Sequence, residues 1–591
     1  MISTNYLTPP KDRAAKWLER GFCVAVLLSC VLAMSHHQAD PDLWGHVQYG
    51  RDVIQDGLPR TTTYSYTTQN HPWINHENLS ELLMATAVDR VGPAALLVFK
   101  SLMALTLLVL VYYQGRRDNV SLIPLYIALL LVASNQMYCW TVRPQLLSYV
   151  FFTLLIALLC WCFSAWPNPW PALLRGGADE PRRAPGNESN GKQLRWLWLL
   201  VPLFIVWTNG HGGFVAGYCI LTAYLGMRCL EALMAHGRAA WPTVRLLTAV
   251  LFVTGLATLV NPYGLELHQW LIGSLTAARP EIVEWHPPKL FSVVWPAWWL
   301  MVATFVAAMV FTRRRRDVTH LVILCLTLWQ ACEHRRHIAF FAILFGFWLP
   351  VHLESLWGRL RGKQPTEADT AAMSPRMRYS LLAIVSVLAV TLSISIFLRF
   401  RHIVVRRDRY PVSAFQYITD QELDGNLIVR FRWAQYAIAA FAADSDHRPH
   451  LQVAFDGRFR TCYPQELVDM YFDFAVGDAP PELRYRDPKS PPVNGGRILN
   501  HKNPDLVLIG RTQTYSARIM EERTRDWTLL YQDEMAQLWG RGDKYDNPRS
   551  PDHVPVEDRV IGNEPQTGYV AWPALPPPKG QRIQLVHTDV F

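Results

Sequence analysis

Residues 93–113 read PAALLVFKSLMALTLLVLVYY, and Arg116-Arg117 follow shortly after. About 20 apolar residues in a helix cross the hydrocarbon core of a bilayer. The stretch therefore predicts a transmembrane helix, even with Lys100 inside it. Runs of the same kind recur outward in both directions, near 20–35, 121–137, 145–165, 196–209, 213–231, 246–260, 294–312, 318–332, 338–354 and 379–398. Eleven spans are thus expected within residues 1–398. The first lacks a small-residue cleavage site before Asp40 and ten more follow, so it reads as an anchor rather than a signal peptide. Beyond 399 no apolar run is long enough to span.

The composition agrees with two parts in two solvents. Charged residues are 18% of 591, below the roughly 25% of ordinary globular domains. Mean hydropathy is near zero, +0.06, as expected for an average over an apolar part of about 400 residues and a polar remainder. A disordered chain, a collagen and a small disulfide scaffold are excluded.

The net charge of +9 has a topological origin. With the N-terminus inside, the expected inner loops hold 22 Lys and Arg and the outer loops 8. This bias is the positive-inside pattern. It predicts a cytoplasmic N-terminus and, after an odd number of spans, a C-terminal domain outside; in a bacterium this is the periplasmic side of the inner membrane. Arg313 to Arg316 read as a stop-transfer anchor, and no nucleic-acid partner is expected. Nine of ten cysteines lie in or at the ends of spans, with Cys462 alone beyond them. No CxxC or zinc-ribbon spacing occurs.

Residues 399–545 alternate β-rich runs (426–430, 451–455, 505–509, 527–531, 537–539) with helical stretches (433–443, 464–473, 513–523). This predicts a small soluble α/β domain. The Pro-rich segment 546–591 reads as an extended tail along the surface.

Polar clusters gather on the expected outer side. The first outer loop, 36–92, carries His36-His37-Gln38-Ala39-Asp40-Pro41-Asp42-Leu43-Trp44-Gly45-His46 and Trp73-Ile74-Asn75-His76-Glu77. Within it, 42–56 and 77–90 have helical spacing and are expected to lie in the membrane interface. Arg143-Pro144-Gln145, Asn209-Gly210-His211-Gly212-Gly213, Asn261-Pro262-Tyr263-Gly264, Glu281 to His286, and Glu333-His334-Arg335-Arg336-His337 share that side. Charged groups at membrane depth are costly and usually mark a cavity or a pathway. Each cluster also has a plain reading. Asp40-Pro41-Asp42 can cap a helix, His211 can sit in a tight turn, and Arg335 and Arg336 can snorkel. Asn261 to Gly264 reads as a helix stop. Their coincidence on one side favours a shared, outward-opening polar cavity.

These residues resemble a family. Asp40-Pro41-Asp42-Leu43-Trp44-x-His46, Gly57-Leu58-Pro59-Arg60 and Trp73-x-x-His76-Glu77 resemble the first outer loop of a bacterial group in the GT-C membrane glycosyltransferase superfamily. Arg143-Pro144-Gln145, Trp207-x-Asn209-x-His211-Gly212-Gly213, Asn261 to Gly264 and Phe455-Asp456-Gly457-Arg458 are similar to that group's pattern. Distant relatives are protein O-mannosyltransferases, the lipid A aminoarabinose transferase and oligosaccharyltransferases. The resemblance implies a GT-C-like fold, a polyprenyl-phosphate sugar donor, inverting transfer to an acceptor at the outer face, and an acidic residue in the first outer loop. Asp40 or Asp42 matches that acid, with Asp40 ahead because Asp42 is better placed to cap a helix. His46, His76, Glu77 and His211 are candidates for acceptor or metal. Arg143, Arg335 and Arg336 are candidates for the donor phosphate. The departing polyprenyl phosphate needs positive charge or a divalent metal ion. Many relatives carry adjacent acidic residues where this chain has a proline between two, which leaves base and metal open.

Two other functions compete. A GT-C-like scaffold that has lost catalysis would serve as a structural subunit of a membrane complex, its partners being membrane lipids and the other subunits. A secondary transporter is disfavoured by the absence of an internal repeat and by polar clusters at one face rather than mid-membrane.

Overall fold

The structure is a computed structural model that describes residues 13–164, 166, 169–170, 193–276, 278–290, 295–361, 374–442 and 448–586. Much of the expected inner loops 166–195 and 355–378 lies outside these residues.

The N-terminal part is helical. Its helices are α1 (Arg13–Met34), α2 (Leu43–Asp56), α3 (Asn78–Val91), α4 (Ala94–Arg117), α5 (Leu122–Gln136), α6 (Gln145–Cys162), α7 (Leu200–Gly210) and α8 (Phe214–His236). They continue as α9 (Trp241–Ala257), α10 (Leu265–Thr276), α11 (Pro296–Phe311), α12 (Val318–Glu333), α13 (Ile338–Trp348), α14 (Pro350–Arg361) and α15 (Pro375–Arg399).

Among the described residues, five helical runs are long and apolar enough to cross a membrane, or six if α13 and α14, bent by 63°, count as one span. Helices of this kind make the chain an integral membrane protein. The expected count of eleven is not confirmed, and the reason is geometric. The α5, α11 and α12 helices are apolar but only 15, 16 and 16 residues long. The 11 residues of α7 rise about 16 Å against a core of about 30 Å. The run Phe214–Ala257 counts as one helix by length, yet it turns at Gly237, φ +52°. The Tyr218 hydroxyl of α8 donates to the Leu251 carbonyl of α9 at 3.2 Å, so the two helices form an antiparallel hairpin. Pro350 begins the second half of the bent pair, where it cannot donate a helical hydrogen bond to the turn before.

The C-terminal part holds a six-stranded sheet of β2 (Gly425–Val429), β3 (Leu451–Val453), β4 (Leu506–Gly510), β5 (Trp527–Gln532), β6 (Ala536–Arg541) and β7 (Val560–Ile561), in the order β3-β2-β4-β6-β5-β7. The β2 strand pairs in parallel with β3 and β4, whereas β6 is antiparallel to β4 and β5. Helices Val412–Asp420, Ala434–Ala440, Gln465–Ala475 and Thr514–Glu521 accompany it. A second sheet, β1-β8-β9, joins β1 (Val404–Arg406) to β8 (Tyr569–Ala571) and β9 (Leu585–Val586).

The segment 36–92, expected as the first outer loop, belongs to this C-terminal part. Leu43, Trp44, Val47 and Tyr49 of α2, with Tyr66 and Trp73, share one hydrophobic core with Phe415, Tyr436 and Phe455. The loop also extends both sheets. Gln38 bridges Val404, and Ser65 bridges Val453 at the edge of β3. The expectation that 42–56 lies in the membrane interface is therefore corrected. Its N-terminal apolar face packs against the C-terminal domain, with Trp44 and Leu43 fully buried. The extended-tail expectation for 546–591 is corrected at 570–576, the other described residues being largely exposed or half-buried. Val570, Trp572 and Ala574 are buried, and the Trp44 indole donates to the Pro573 carbonyl at 2.7 Å. Apolar side chains this large are driven from water whatever the proline content around them.

Candidate functional site

Arg143 is the hub of the first cluster. It stands just before α6, fixed there by Pro144. Its Nε donates to Asp40 Oδ1 at 2.6 Å, Nη2 lies 3.2 Å from Asp42 Oδ2, and Nη1 donates to Glu284 Oε1 at 3.0 Å. One guanidinium thus joins the first outer loop to the 281–286 loop. The three carboxylates outweigh burial and hold Arg143 well above its ordinary value.

The two aspartates differ. Asp40 is 7% exposed and Asp42 31%. Asp40 Oδ1 also accepts the Asp42 backbone N–H at 3.0 Å. Asp42 occupies the N-cap of α2 but makes no side-chain cap bond, so the capping argument that ranked it second does not hold. Burial raises Asp42 above the usual carboxylate range, with Arg143 opposing and Asp40 adding to the rise.

One helical turn on, His46 enters the second cluster. Its Nδ1 lies 3.0 Å from Glu81 Oε1 and 3.8 Å from Glu77 Oε2. Burial alone would lower the imidazole, but the hydrogen bond to Glu81 and the charges of Glu77, Glu81 and Asp42 push it up to about 9. Glu77 is held below its ordinary value, against burial, by His76, His46, His211 and Arg143. Its Oε1 lies 3.4 Å from His211 Nε2 and 3.7 Å from His76 Nε2. The His76 ring in turn packs on Trp270.

His211 is locked by its neighbours. Nδ1 accepts the Gly213 N–H at 2.9 Å and lies 2.8 Å from Ser148 Oγ. That hydroxyl accepts from the Trp207 indole. With Nδ1 an acceptor, the neutral ring carries its proton on Nε2. Burial pushes the imidazole down to about 3, so it stays neutral. His211 is therefore a donor toward Glu77 and not a metal ligand. The flanking glycines permit this packing. A Cβ at Gly213 would meet Ser148 Oγ at 2.4 Å, and one at Gly212 would meet His76 Cδ2 at 3.0 Å.

Among the described residues, His46, Glu77 and Glu81 offer ligand atoms all within 4.8 Å of one another. One imidazole and two carboxylates suit a divalent cation. Glu81 Oε2 is further oriented by Asn75 Nδ2 at 2.6 Å.

The arginines expected at a phosphate part company. Arg143 is occupied by three carboxylates and is not open to an anion. Arg335 is turned away, its Nε donating to the Pro287 carbonyl at 3.2 Å and its guanidinium lying over Trp295. Arg336 stacks on Trp285, 4.7 Å from the ring centroid, and among the described residues no hydrogen bond or ion pair holds its guanidinium. Arg279 covers the same ring at 5.3 Å. Arg460 of the C-terminal domain lies 3.5 Å from Glu281. Among the described residues Arg279 Nε and both Arg460 Nη atoms are buried without a hydrogen-bond partner. Burial, with Arg336 and Arg460 beside it, lowers Arg279 to about 10.

The C-terminal domain closes on these groups through Asp456-Gly457-Arg458. Arg458 pairs with Asp456 at 2.7 Å and stacks among Tyr49, Tyr64 and Trp73. Asn261 to Gly264 is a turn, Gly264 at φ +53°, and Tyr263 accepts the Asn75 N–H at 3.0 Å. Lys100 is buried and donates to the His36 carbonyl.

Sequence reasoning left Glu81, Arg279 and Arg460 unmentioned and gave Glu284 no role. Glu81 was legible, four residues from Glu77 and so on the same helical face. Arg279 and Arg460 sit alone in unremarkable loops, and only the fold brings them together.

No protein-family model matches the chain, and no curated protein matches it in sequence. Among solved structures, the chain is similar to the apo form of the Archaeoglobus fulgidus oligosaccharyltransferase, with a TM-score of 0.49 and 10% identity over 85% of this chain and 70% of that one. It is also similar to the arabinofuranosyltransferase AftD from Mycobacteria, with a TM-score of 0.40 and 12% identity over 89% of this chain and 40% of that one. At these scores the functional reading rests on the site's own residues.

Proposed function

We propose that this chain is a GT-C-type membrane glycosyltransferase that transfers a sugar from a polyprenyl-phosphate donor to an acceptor at the outer face. The observation that carries it is one pairing. A half-open carboxylate, Asp42, is tied through Arg143 to Glu284, the neighbouring Trp285 is covered by Arg336 and Arg279, and Arg460 lies beside Glu281 of the same loop. Asp42 takes the proton of an acceptor hydroxyl as its oxygen bonds to the anomeric carbon. The bond from that carbon to the donor phosphate breaks, and the phosphate leaves with the electron pair. Guanidinium forks meet its oxygens. Asp40 and Glu284 hold Arg143, which positions Asp42. A divalent ion, where bound, would be held by His46, Glu77 and Glu81 and would supply positive charge near the leaving group.

The test is transfer from a polyprenyl-phosphate-linked sugar by the purified protein, beside Asp42→Asn and Arg336→Gln. Loss of transfer in Asp42→Asn, with weaker donor use in Arg336→Gln, is expected. Parental transfer in both variants overturns the assignment. One feature favours the non-catalytic scaffold: Arg143 and its carboxylates satisfy one another without a substrate. Absence of transfer, with a stoichiometric protein partner on purification in mild detergent, would select that reading.

A further inference from the structure

The C-terminal domain carries a second polar recess outside the groups used above. It is an open cleft of about 460 Å³ lined by Glu466, Met470, Asn494, Gly496, Arg497, Asn500, His501 and Arg523. That volume falls within the roughly 300–1,000 Å³ of small-molecule sites. Its chemistry is lopsided. Two guanidinia and an imidazole face a single carboxylate, and Glu466 only grazes Arg497 at 3.4 Å with its own side chain 71% exposed. Arg497 Nη1 and His501 Nε2 are buried without a hydrogen-bond partner, an arrangement that costs free energy until a ligand fills it. Arg523 lies across the backbone at Gly496, where a Cβ would come within 2.1 Å of its Nη2.

The rest of the lining says what kind of anion fits. Asn494 Oδ1 accepts the Gly496 N–H at 2.9 Å and leaves its amide nitrogen as a donor, while Asn500 offers both a donor and an acceptor, groups that read sugar hydroxyls. The lining has no Phe, Tyr or Trp to stack a base, and Met470 is its single long apolar side chain. The position is also informative. Helix Gln465–Ala475 turns Glu466 into the cleft, while the neighbouring Gln465 accepts from Arg460 Nε at 2.7 Å. Adjacent residues of one helix therefore reach the cleft and Arg460.

We infer that this cleft binds an anionic saccharide, a sugar bearing a carboxylate or a phosphate, with Arg497 and Arg523 on the acidic group and Asn494 and Asn500 on ring hydroxyls. The inference goes beyond the transfer reaction and does not depend on it. The test is calorimetric titration of the full-length protein in detergent with glucuronate, glucose 1-phosphate and glucose. Binding of one acidic sugar and not of glucose is expected, and which acid binds separates carboxylate from phosphate recognition. In Arg523→Gln and Arg497→Gln the affinity should fall about tenfold or more, while Asp42→Asn binds as the parent does. Equal behaviour of glucose and both acids in the parent protein, or undiminished binding in both arginine variants, overturns the inference. The first of these comparisons requires no variant to fold.

Discussion

Gly457 of the C-terminal domain lies against the Asp42 carboxylate: a Cβ at 457 would stand 2.8 Å from Asp42 Oδ1 and 2.7 Å from Gln435 Nε2. The accessible acid of the 36–92 segment is thus seated by a residue more than 400 positions away. Gln435 itself accepts from the Tyr49 hydroxyl at 2.6 Å, so neither neighbour moves freely. Gly457→Ala should displace Asp42 and cut sugar transfer about tenfold, since small errors in reacting geometry are costly. Unfolding of the domain should change little. A transfer rate equal to the parent's would show that Asp42 is not positioned from above.

Arg143 makes a contrasting prediction about stability. Arg143→Met leaves Asp40, 7% exposed, without its cation. Breaking a buried pair is strongly destabilising, and here, discounted for the partial exposure of Asp42 and Glu284, about 2–3 kcal/mol is expected. Arg143→Lys should recover little, because an ammonium cannot span three carboxylates as Nε, Nη1 and Nη2 do. Thermal unfolding in detergent measures both, and parental midpoints would contradict the hub role.

His37 predicts a dependence on pH. Burial, then Arg399 and Lys100, lowers its imidazole from 6.5 to about 4. The folded protein therefore resists a proton that the unfolded chain accepts. The corresponding stability is present above pH 6.5 and is lost as pH falls from 6.5 toward 4. His37→Gln should flatten the unfolding midpoint against pH in that window. An unchanged slope would place the acid sensitivity elsewhere.

The C-terminal segment should behave as core rather than tail. Ending the chain after residue 568 removes β8 and β9, leaves β1 without its partner strand and uncovers Trp44. Tryptic cleavage of the C-terminal domain should accelerate about tenfold or more, as local opening becomes easier. Parental resistance to trypsin would mean that Trp572 and Ala574 are dispensable.

Much of the soluble fold was legible because its strands are short apolar runs between helical ones. The runs expected at 426–430, 505–509 and 527–531 coincide within a residue with Gly425–Val429, Leu506–Gly510 and Trp527–Gln532. Helix Val412–Asp420 and strands β7 to β9 were not read, the strands being two or three residues long. In the membrane part, hydropathy located apolar helices but could not count crossings, since breaks at Gly237 and Pro350 leave the local average untouched.

The site divides in the same way. Sequence alone determined which residue types this chain can bring to one polar mouth: Asp40, Asp42, His46, His76, Glu77, Arg143 and His211 are all contiguous in the structure. Only tertiary structure decided their states. Arg143 is neutralised by contacts 103 and 141 residues away along the chain, and His211 has its tautomer set by Gly213. Among the described residues Arg336 has no paired anion, while its neighbour Arg335 is turned aside. Composition and spacing specify charge, but desolvation and pairing depend on which groups lie within a few ångströms, and in this protein those groups come from distant segments of the chain.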